Sequence, residues 1–314
     1  MEEERQLRGN RRKKRRFRKR GILFIMLIML LAFGAYFFMQ YQSGKNLAEE
    51  SDLPEVEFNN DEDNSGYENI LVLGVDSRGE AQSRTDTMML VAHNKETNDV
   101  KIVSFMRDIY ADIPGYQSYK LNTAFYLGGV DLLAETLRNM FGVEIQHYAL
   151  VDFTSFETLV DIAAPNGVEI DVEKDMSELI GVSLTEGNQH LNGKELLGYA
   201  RFRADSEGDF GRVRRQQQVL AALKEEMASV SSIPKLPKLA GAAQGYVQTD
   251  MPLLDQVKLA TDMATGGTAA VERLTVPVEG SYSNASYPHA GAVLEVNLEQ
   301  NRQALSEFLD QPLQ

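Results

Sequence analysis

Two aspartates stand where predicted strands end, and their carboxylates are candidate metal ligands. Asp76 closes the apolar run Val-Leu-Gly-Val-Asp, and Asp86 lies in Ser-Arg-Thr-Asp-Thr before the next apolar run. Carboxylates at strand ends face the crevice in which α/β proteins bind ligands, and a pair of hard oxygen ligands suits Mg²⁺, or Mn²⁺, held jointly with a phosphate. Alternatively, each carboxylate caps a turn through its own side chain.

Two arginines in Tyr-Ala-Arg-Phe-Arg give a stronger signal. Arg201 and Arg203 are two residues apart, so they share a face only if the backbone is extended there. A helix that leads into an extended segment would point both guanidinium groups the same way. The spacing therefore predicts such a segment at 201–203.

A second basic group opens the next predicted helix, in Gly-Arg-Val-Arg-Arg-Gln-Gln. Arg212, Arg215 and Gln216 can occupy one side of that helix, whereas Arg214 is expected to face solvent. A helix N-terminus favours anions, so these residues together with the preceding arginines predict a diphosphate site. The alternative for each arginine is an ordinary surface ion pair.

Other polar residues are weaker candidates because they lie on predicted loops. Arg107 follows the third predicted strand and can join the anion site from across the crevice, and its neighbour Asp108 is a possible ion-pair partner. Arg84, Lys120 and Asn122 are further loop candidates.

The histidines and the standard motifs add no chemistry of their own. His93 and His147 flank strands without metal-like spacing, so we expect them to be packing or surface residues. The sequence contains no GxxxxGK[ST], GxSxG or HExxH, which leaves P-loop, serine-hydrolase and zincin chemistry without support.

The N-terminus predicts a membrane anchor. Residues 1–20 hold 11 basic residues, and the uncharged segment 21–44 that follows is long enough to cross a bilayer. Basic flanks stay in the cytoplasm, so the rest of the chain is expected outside the cell. A cleaved signal peptide is the alternative, but bulky Tyr36, Phe37 and Phe38 occupy the place of a cleavage site.

Charge argues against a nucleic-acid partner. Beyond residue 20 the chain carries 21 basic and 43 acidic residues, whereas nucleic-acid binding needs positive charge. The basic tail lies against the predicted span, so its expected partner is anionic lipid. The chain contains no cysteine, so the exported part must be held by its own core.

Strand and helix signals alternate beyond an acidic linker, which predicts an α/β layered domain with a mixed sheet. The predicted strands are 70–75, 88–92, 100–105, 149–151, 168–172, 271–278 and 292–296, and the predicted helices are 132–140, 153–162, 192–200, 213–227, 253–263 and 300–309. A turn at 94–98 predicts that the second and third strands form an antiparallel pair. Segment 231–239 (SSIPKLPKL) is predicted to be a proline-broken connector.

Seven ordered segments resemble the LytR-CpsA-Psr family of wall-polymer ligases. They are 69–76 (NILVLGVD), 84–90 (RTDTMML), 107–108 (RD), 120–125 (KLNTAF), 147–153 (HYALVDF), 199–203 (YARFR) and 211–217 (GRVRRQQ). The resemblance covers about 67–227. Phe105-Met106 stand where the family often has Ile-Pro, and Thr85 replaces a frequent Ser, but neither touches an expected ligand.

The resemblance implies an α/β/α layered domain preceded by one transmembrane helix. The implied organisation is a basic cytoplasmic tail (1–20), a transmembrane signal anchor (21–41), an acidic extracytoplasmic linker (42–66) and an extracytoplasmic catalytic domain (67–314, motif core 67–230). The implied location is the cell membrane of a Gram-positive type of cell, crossed once with the N-terminus inside.

The resemblance also implies an activity: transfer of an anionic glycopolymer, of teichoic acid or capsule type, from a polyisoprenyl-pyrophosphate carrier to peptidoglycan as a phosphodiester. Asp76 and Asp86 would hold Mg²⁺. The pyrophosphate would contact a set of polar side chains, namely Arg84, Arg107, Lys120, Arg201, Arg203, Arg212 and Gln216. The catalytic set would be Arg107, Arg201, Arg203 and Asp108, which fits a phosphoryl transfer that depends on positioning and charge neutralisation.

An apolar tunnel for the lipid is implied as well. Its candidate lining residues are Phe125, Leu132, Leu133, Leu137 and Leu159. Each fits an ordinary core equally well, and the core is the favoured interpretation for each residue taken alone. Two other functions remain open at this stage. One is a pyrophosphatase in which water replaces the sugar acceptor, and the other is a non-enzymatic lipid-binding or regulatory protein.

Overall fold

The computed structural model describes residues 26, 28–29, 31–47, 56, 58, 67–76, 85–97, 99–228, 234–265 and 271–310. Its strands are β1 (Tyr67–Val75), β2 (Thr85–Asn94), β3 (Val100–Phe105), β4 (Tyr110–Ala111), β5 (Tyr119–Lys120), β6 (His147–Asp152), β7 (Val168–Val172), β8 (Gly187–Leu191), β9 (Val247–Thr249), β10 (Glu272–Val276), β11 (Tyr282–Tyr287) and β12 (Gly291–Val296). Its helices are α1 (residues 31–47), α2 (Leu121–Phe141), α3 (Phe153–Ala163), α4 (Gly193–Arg201), α5 (Gly208–Ala228), α6 (Leu236–Tyr246), α7 (Leu253–Thr265) and α8 (Leu298–Leu309).

A six-stranded mixed sheet forms the centre, in the order β10-β3-β2-β1-β6-β9. Strands β2 and β3 are an antiparallel hairpin, as predicted, and the Asn94 side chain stabilises its turn by accepting hydrogen bonds from the backbone of Glu96 and Thr97. Strand β1 is antiparallel to β2 and parallel to β6. The predicted α/β class with a mixed sheet is therefore confirmed.

Alternating side chains of the strands bury both faces of the sheet. On β1, Leu71 and Leu73 pack in the large cluster that contains the buried residues of α2 and α8. Ile70 faces the other way, in a cluster with Met251. This two-sided burial follows from the period of two in a strand, and it produces helix layers on both faces.

Helix α6 begins inside the segment that was predicted to be a connector, and that prediction was wrong from residue 236 onward. Pro237 occupies the first turn of the helix, where its missing N–H would have no partner in any case. Proline therefore marks a helix start here. Residues 231–233 of the predicted connector lie outside the described residues.

The N-terminal helix docks on the domain through two glycines. A Cβ atom on Gly44 would lie 1.9 Å from the Lys238 carbonyl oxygen, and one on Gly241 would lie 2.0 Å from the Tyr41 carbonyl oxygen. Only glycine allows α1 and α6 to approach this closely. The acidic linker also contacts the domain, because Val56 and Phe58 pack against the large core cluster.

The membrane span predicted at 21–41 falls partly on residues 21–25, 27 and 30, which are outside the described residues. Within the part of the chain that the structure describes, no helix combines the length and the apolar character needed to cross a bilayer.

Candidate active site

A pocket of about 340 Å³ lies where β1 and β6 end and β2 begins, between these strand ends and helices α3, α4 and α5. Six of its lining residues carry the predicted polar chemistry: Asp86, Arg107, Arg201, Arg203, Arg212 and Gln216. The remainder is mainly apolar. Residues up to 130 positions apart in sequence thus converge on one cavity.

Arg201 and Arg203 lie at the end of α4, in the predicted extended segment. The helix stops after Arg201 because Phe202 adopts extended backbone angles (φ −61°, ψ 131°) and its side chain is buried. Both arginines line the pocket, and the Arg201 guanidinium stacks 4.6 Å above the centre of the Phe153 ring. Neither arginine forms an ion pair with a carboxylate of the described residues, so both can bind an anionic ligand.

Arg212 is a buried cation with incomplete neutralisation. Its side chain lies in the first turns of α5, and the residue is 4% exposed. One Nη donates to Asp209 at 3.3 Å, but its Nε has no hydrogen-bond partner among the described residues. Burial lowers the pKa of Arg212, and the neighbouring charge of Arg107 lowers it further. A bound anion would supply the missing acceptor and the missing charge.

The side chain of Arg107, which follows β3, forms hydrogen bonds to both β2 and helix α5. Its Nη1 donates to Asp86 Oδ1 at 2.6 Å, and its Nε donates to Asp209 Oδ2 at 3.0 Å. Burial alone would lower the pKa of Arg107, but the charges of Asp209 and Asp86 outweigh burial and raise it. Its guanidinium is therefore held in place at the pocket wall.

Asp209 does not line the pocket but accepts hydrogen bonds from two arginines that do, Arg107 and Arg212, and the sequence did not single it out. Burial and the adjacent carboxyl group of Asp108 raise the pKa of Asp209. Asp108 differs because Lys120 Nζ donates to it at 2.6 Å. Burial raises the pKa of Asp108, but hydrogen bonds from Asp209 and Lys120 lower it overall. Asp209 lies in the first turn of the observed helix α5, which begins at Gly208, before the predicted start at residue 213, so its position three residues before Arg212 was the available signal.

Asp86 owes its orientation to a β-bulge. Gly74 pairs with Thr87 and Val75 pairs with Thr85, so Asp86 is the extra residue between them. The Thr85 hydroxyl lies within hydrogen-bond distance of two carbonyl oxygens at the bulge, that of Thr87 at 2.8 Å and that of Gly74 at 3.0 Å. A bulge turns a side chain away from the regular alternation, and here it directs Asp86 into the pocket.

Of the two predicted metal ligands, Asp86 lines the pocket, whereas Asp76 lies outside its lining. Asp76 directly follows β1, beside the bulge that carries Asp86, so both carboxylates belong to one edge of the sheet. Two carboxylates with phosphate oxygens suit Mg²⁺, which keeps part of its shell for substrate and water. Among the described residues, no group of three or more His, Asp or Glu side chains could hold a metal ion.

The remaining predicted site residues fall in three places. Gln216 lines the pocket and donates to the Thr87 hydroxyl at 2.9 Å. Lys120 does not line it and instead neutralises Asp108. Arg84 lies outside the described residues.

Arg215 does not share the pocket side of α5 with Arg212, contrary to expectation. Its side chain is fully buried, donates to the Phe202 carbonyl at 3.1 Å, and is ion-paired with Asp205. It therefore fixes the segment that carries Arg201 and Arg203. Arg214 extends towards solvent, as predicted, in ion pairs with glutamates.

Four of the five candidate lining residues are core residues, which is the interpretation that the sequence favoured for each of them. Phe125, Leu133 and Leu137 belong to the core cluster on the other side of the sheet, and Leu132 packs against it. Only Leu159 of the five candidates lines the pocket. The observed apolar lining comes from both sheet and helices: Val72, Met89, Val151, Phe153, Phe156, Leu159, Leu179, Leu197, Val219 and Leu220. Helical periodicity identifies a buried face but not the cavity it borders.

The family model described as the LytR_cpsA_psr family matches residues 35–305. The chain is 48% identical over 278 residues to Regulatory protein MsrR of Staphylococcus aureus (strain COL), covering 88% of this chain and 85% of the relative. It is 34% identical over 249 residues to the polyisoprenyl-teichoic acid--peptidoglycan teichoic acid transferase TagU of Bacillus mycoides (strain KBAB4), covering 74% of this chain and 80% of TagU.

Two solved structures are similar to this fold. The crystal structure of B. subtilis TagV has a TM-score of 0.67 and 30% identity, and the match covers 78% of this chain and 98% of TagV. The structure of TagT bound to LIIa-WTA has a TM-score of 0.63 and 25% identity, with 84% of this chain and 98% of TagT covered. The similarity therefore extends beyond residue 231, where the sequence motifs gave little guidance.

Proposed function

Because this chain belongs to the LytR_cpsA_psr family, we propose that it is a membrane-anchored phosphotransferase. It moves an anionic glycopolymer, of teichoic acid or capsule type, from a polyisoprenyl-pyrophosphate carrier to peptidoglycan. The name of TagU and the ligand in the TagT structure support a teichoic acid as donor and a transfer reaction.

The proposal depends on one observation: a single pocket is lined by both positively charged and apolar side chains. Arg201, Arg203 and the incompletely neutralised Arg212 offer positive charge, while the apolar lining offers a surface for hydrocarbon. A ligand that satisfies both is amphiphilic, with an anionic head and a lipid chain. A polyisoprenyl pyrophosphate has that composition.

Asp76 and Asp86 are the proposed ligands of Mg²⁺ or Mn²⁺. The cation would share the pyrophosphate oxygens and neutralise charge that develops as the leaving phosphate departs. Arg107 holds Asp86 at 2.6 Å, so it positions this ligand as well as presenting charge to the pocket.

The transfer requires a base for the acceptor, and the proposed base is Asp209. Its ionised carboxylate would be the stronger proton acceptor of the pair, because burial raises the pKa of Asp209 whereas Lys120 neutralises Asp108. The acceptor hydroxyl oxygen forms a bond to the phosphorus next to the glycopolymer, and its proton passes to Asp209. The phosphorus–oxygen bond of the pyrophosphate bridge breaks, and its electron pair leaves with polyisoprenyl phosphate, whose charge the arginines stabilise.

The proposed location is the cell membrane, crossed once, with the N-terminus in the cytoplasm and the domain outside. The 11 basic residues of the tail and the uncharged segment 21–44 support this orientation. A tag at the C-terminus should be digested by protease added to intact cells, and its protection would contradict the orientation.

A reconstituted assay tests the reaction. The full chain in detergent, given a polyisoprenyl-pyrophosphate-linked glycopolymer, Mg²⁺ and peptidoglycan, should release polyisoprenyl phosphate and form a covalent product. We expect Arg201→Ala to lower the rate by about 100-fold or more, because it removes a charge that stabilises the leaving group. Arg214→Ala is the matched control, since Arg214 lies outside the pocket lining and should retain the wild-type rate.

The same assay separates the alternatives. Release of polyisoprenyl phosphate at an equal rate without peptidoglycan, and without a covalent product, would identify a pyrophosphatase. Binding of the lipid without any release, in every metal and acceptor condition, would identify a lipid-binding regulator.

A further inference from the structure

Four rings form an aromatic cluster at the surface, outside the pocket lining. Tyr110 and Tyr287 stack with their centres 4.5 Å apart, at an angle of 17°. The His289 ring lies 5.7 Å from Tyr287 and 5.8 Å from Tyr119. His289 is exposed, and the three tyrosines are half-buried. We call Tyr110, Tyr119, Tyr287 and His289 the aromatic platform.

The aromatic platform is built on the same backbone as the candidate active site. Tyr110 follows Asp108 by two residues, and its strand β4 pairs with β5, which carries Tyr119 and Lys120. The hairpin β11–β12 joins at the same point, because the Leu294 N–H donates to the Asp108 carbonyl at 2.8 Å. The platform is therefore attached directly to the segment that carries Asp108.

A second contact connects the hairpin to helix α5. Tyr282 of β11 stacks on Phe210 with ring centres 5.1 Å apart, and Phe210 is the neighbour of Asp209. Both elements that carry the Asp108–Asp209 pair thus contact the hairpin that presents Tyr287 and His289.

The chemistry of the platform suits a carbohydrate. Tyrosine presents an apolar, electron-rich face that attracts the C–H groups of a sugar ring, and a hydroxyl that exchanges hydrogen bonds with sugar hydroxyls. The Tyr110 hydroxyl lies 3.3 Å from His289 Nε2, so polar groups stand at the edges of the rings. Tyr119 packs against the large core cluster, whereas the side chains of Tyr110, Tyr287 and His289 are partly or fully exposed and available to a ligand.

The charged residues beside the aromatic platform distinguish between the two sugar polymers of the proposed reaction, the donor glycopolymer and the acceptor glycan. Exposed Glu295 accepts a hydrogen bond from the Tyr287 hydroxyl, and exposed Asp112 lies 3.4 Å from the Ser118 hydroxyl beside Tyr119. Carboxylates at the rim repel an anionic glycopolymer but not an uncharged chain of N-acetyl amino sugars. The charge therefore favours the glycan strand of the acceptor over the donor.

We propose that the aromatic platform is the subsite for the acceptor glycan, and that stacking of its sugar rings on Tyr110 and Tyr287 brings an acceptor hydroxyl to the Asp108–Asp209 pair. The proposal rests on the proposed function for the identity of the acceptor. It adds a specificity surface, formed by the C-terminal hairpin β11–β12, that the pyrophosphate pocket does not contain.

A binding experiment tests the platform independently of transfer. The probe is a soluble oligomer of four to six β-linked N-acetylglucosamine units, titrated against the full chain in detergent and followed by tyrosine fluorescence, since the chain has no tryptophan. We expect Tyr287→Ala to weaken binding about tenfold, because one stacked ring is lost. Tyr287→Phe keeps the ring and should bind within about threefold of wild type. Tyr126→Ala, an exposed tyrosine on α2, is the matched control.

Transfer kinetics provide the second readout. Tyr287→Ala should raise KM for peptidoglycan and leave KM for the lipid-linked donor within about twofold. If Tyr287→Ala does not fold, His289→Ala replaces it, because this side chain is exposed. Unchanged oligosaccharide binding in the alanine variants, or a rise in the donor KM instead, would overturn the proposal. Failure of the wild type to release polyisoprenyl phosphate would overturn only the proposed function, since oligosaccharide binding is measured without donor.

Discussion

The guanidinium group of Arg212 is placed where a cation is costly. It is 4% exposed, lies close to the charge of Arg107, and leaves its Nε without an acceptor among the described residues. A buried charge that lacks full pairing destabilises a fold, and such strain is tolerated where function requires it. A substitution of Arg212 should therefore affect the stability of the ligand-free protein and the binding of an anion in different ways.

We expect Arg212→Met to preserve or raise the thermal stability of the ligand-free protein, because methionine fills similar space without an unpaired charge. The same variant should lose most of the stabilisation that a polyisoprenyl pyrophosphate gives to the wild type, and its transfer rate should fall by about 100-fold. Thermal unfolding with and without ligand measures both effects. A large loss of stability in the ligand-free variant would contradict this account and assign Arg212 a structural role, like that of Arg215.

At the scale of elements, the end of the sheet opposite the pocket is held by histidines and carboxylates. His147, at the start of β6, contacts Asp250 Oδ2 at 2.8 Å and Glu68 Oε1 at 3.6 Å. His93, at the end of β2, faces the same Glu68 at 3.7 Å and Asp262 of α7 at 3.5 Å. His93 is buried, so the expected packing role is confirmed for it, and the contacts of the two histidines link β9 and α7 to the sheet.

This cluster predicts a pH-dependent stability. The hydrogen bond to Asp250 raises the pKa of His147 above its ordinary 6.5, in spite of burial. The protonated form is favoured in the folded state, so its stabilising contribution is complete below about pH 6.5 and is lost as the pH rises through the raised pKa. His147→Gln should therefore cost up to about 1 kcal/mol at pH 6 and less at pH 8.

Thermal unfolding of the full chain at both pH values measures the difference. His190→Gln, at an exposed position on β8, is the matched control and should show no pH-dependent loss. An equal loss at pH 6 and pH 8 for the His147 variant would show that the ion pairs do not contribute.

At the scale of the whole molecule, the pocket joins distant parts of the chain. Strands β1, β2 and β6 form one wall, helices α3, α4 and α5 form most of the other, and both contribute apolar residues. The proposed lipid chain would contact side chains such as Leu159 and Val219. Binding of the donor should therefore depend on the volume of the apolar part.

We expect Leu159→Trp to raise KM for a donor with a long polyisoprenyl chain by about tenfold, since the larger ring occupies space that the hydrocarbon needs. A donor analogue with a very short chain should be affected much less. Thr158→Trp is the matched control, because Thr158 is the neighbour of Leu159 on α3 but does not line the pocket. Equal effects on long and short donors would place the lipid elsewhere.

The sequence predicted the elements and most of the polar site because both depend on short-range patterns. Runs of apolar residues predicted β1, β2 and β3, and the spacing of Arg201 and Arg203 required the extended backbone that Phe202 adopts. Asp209 was missed because an acidic residue in the first turn of a helix is common for local reasons. Only the contact with Arg107, 102 residues away, distinguishes it.

By itself, the amino-acid sequence determined the α/β class, the charge asymmetry, the family resemblance and the set of arginines. Each of these depends on composition or on the spacing of residues that are close in sequence. Tertiary structure alone decided which buried face borders a cavity, how the bulge turns Asp86, and that Tyr287 meets Tyr110. These features arise from packing between segments far apart in the chain, and periodicity shows that a face is covered without showing what covers it.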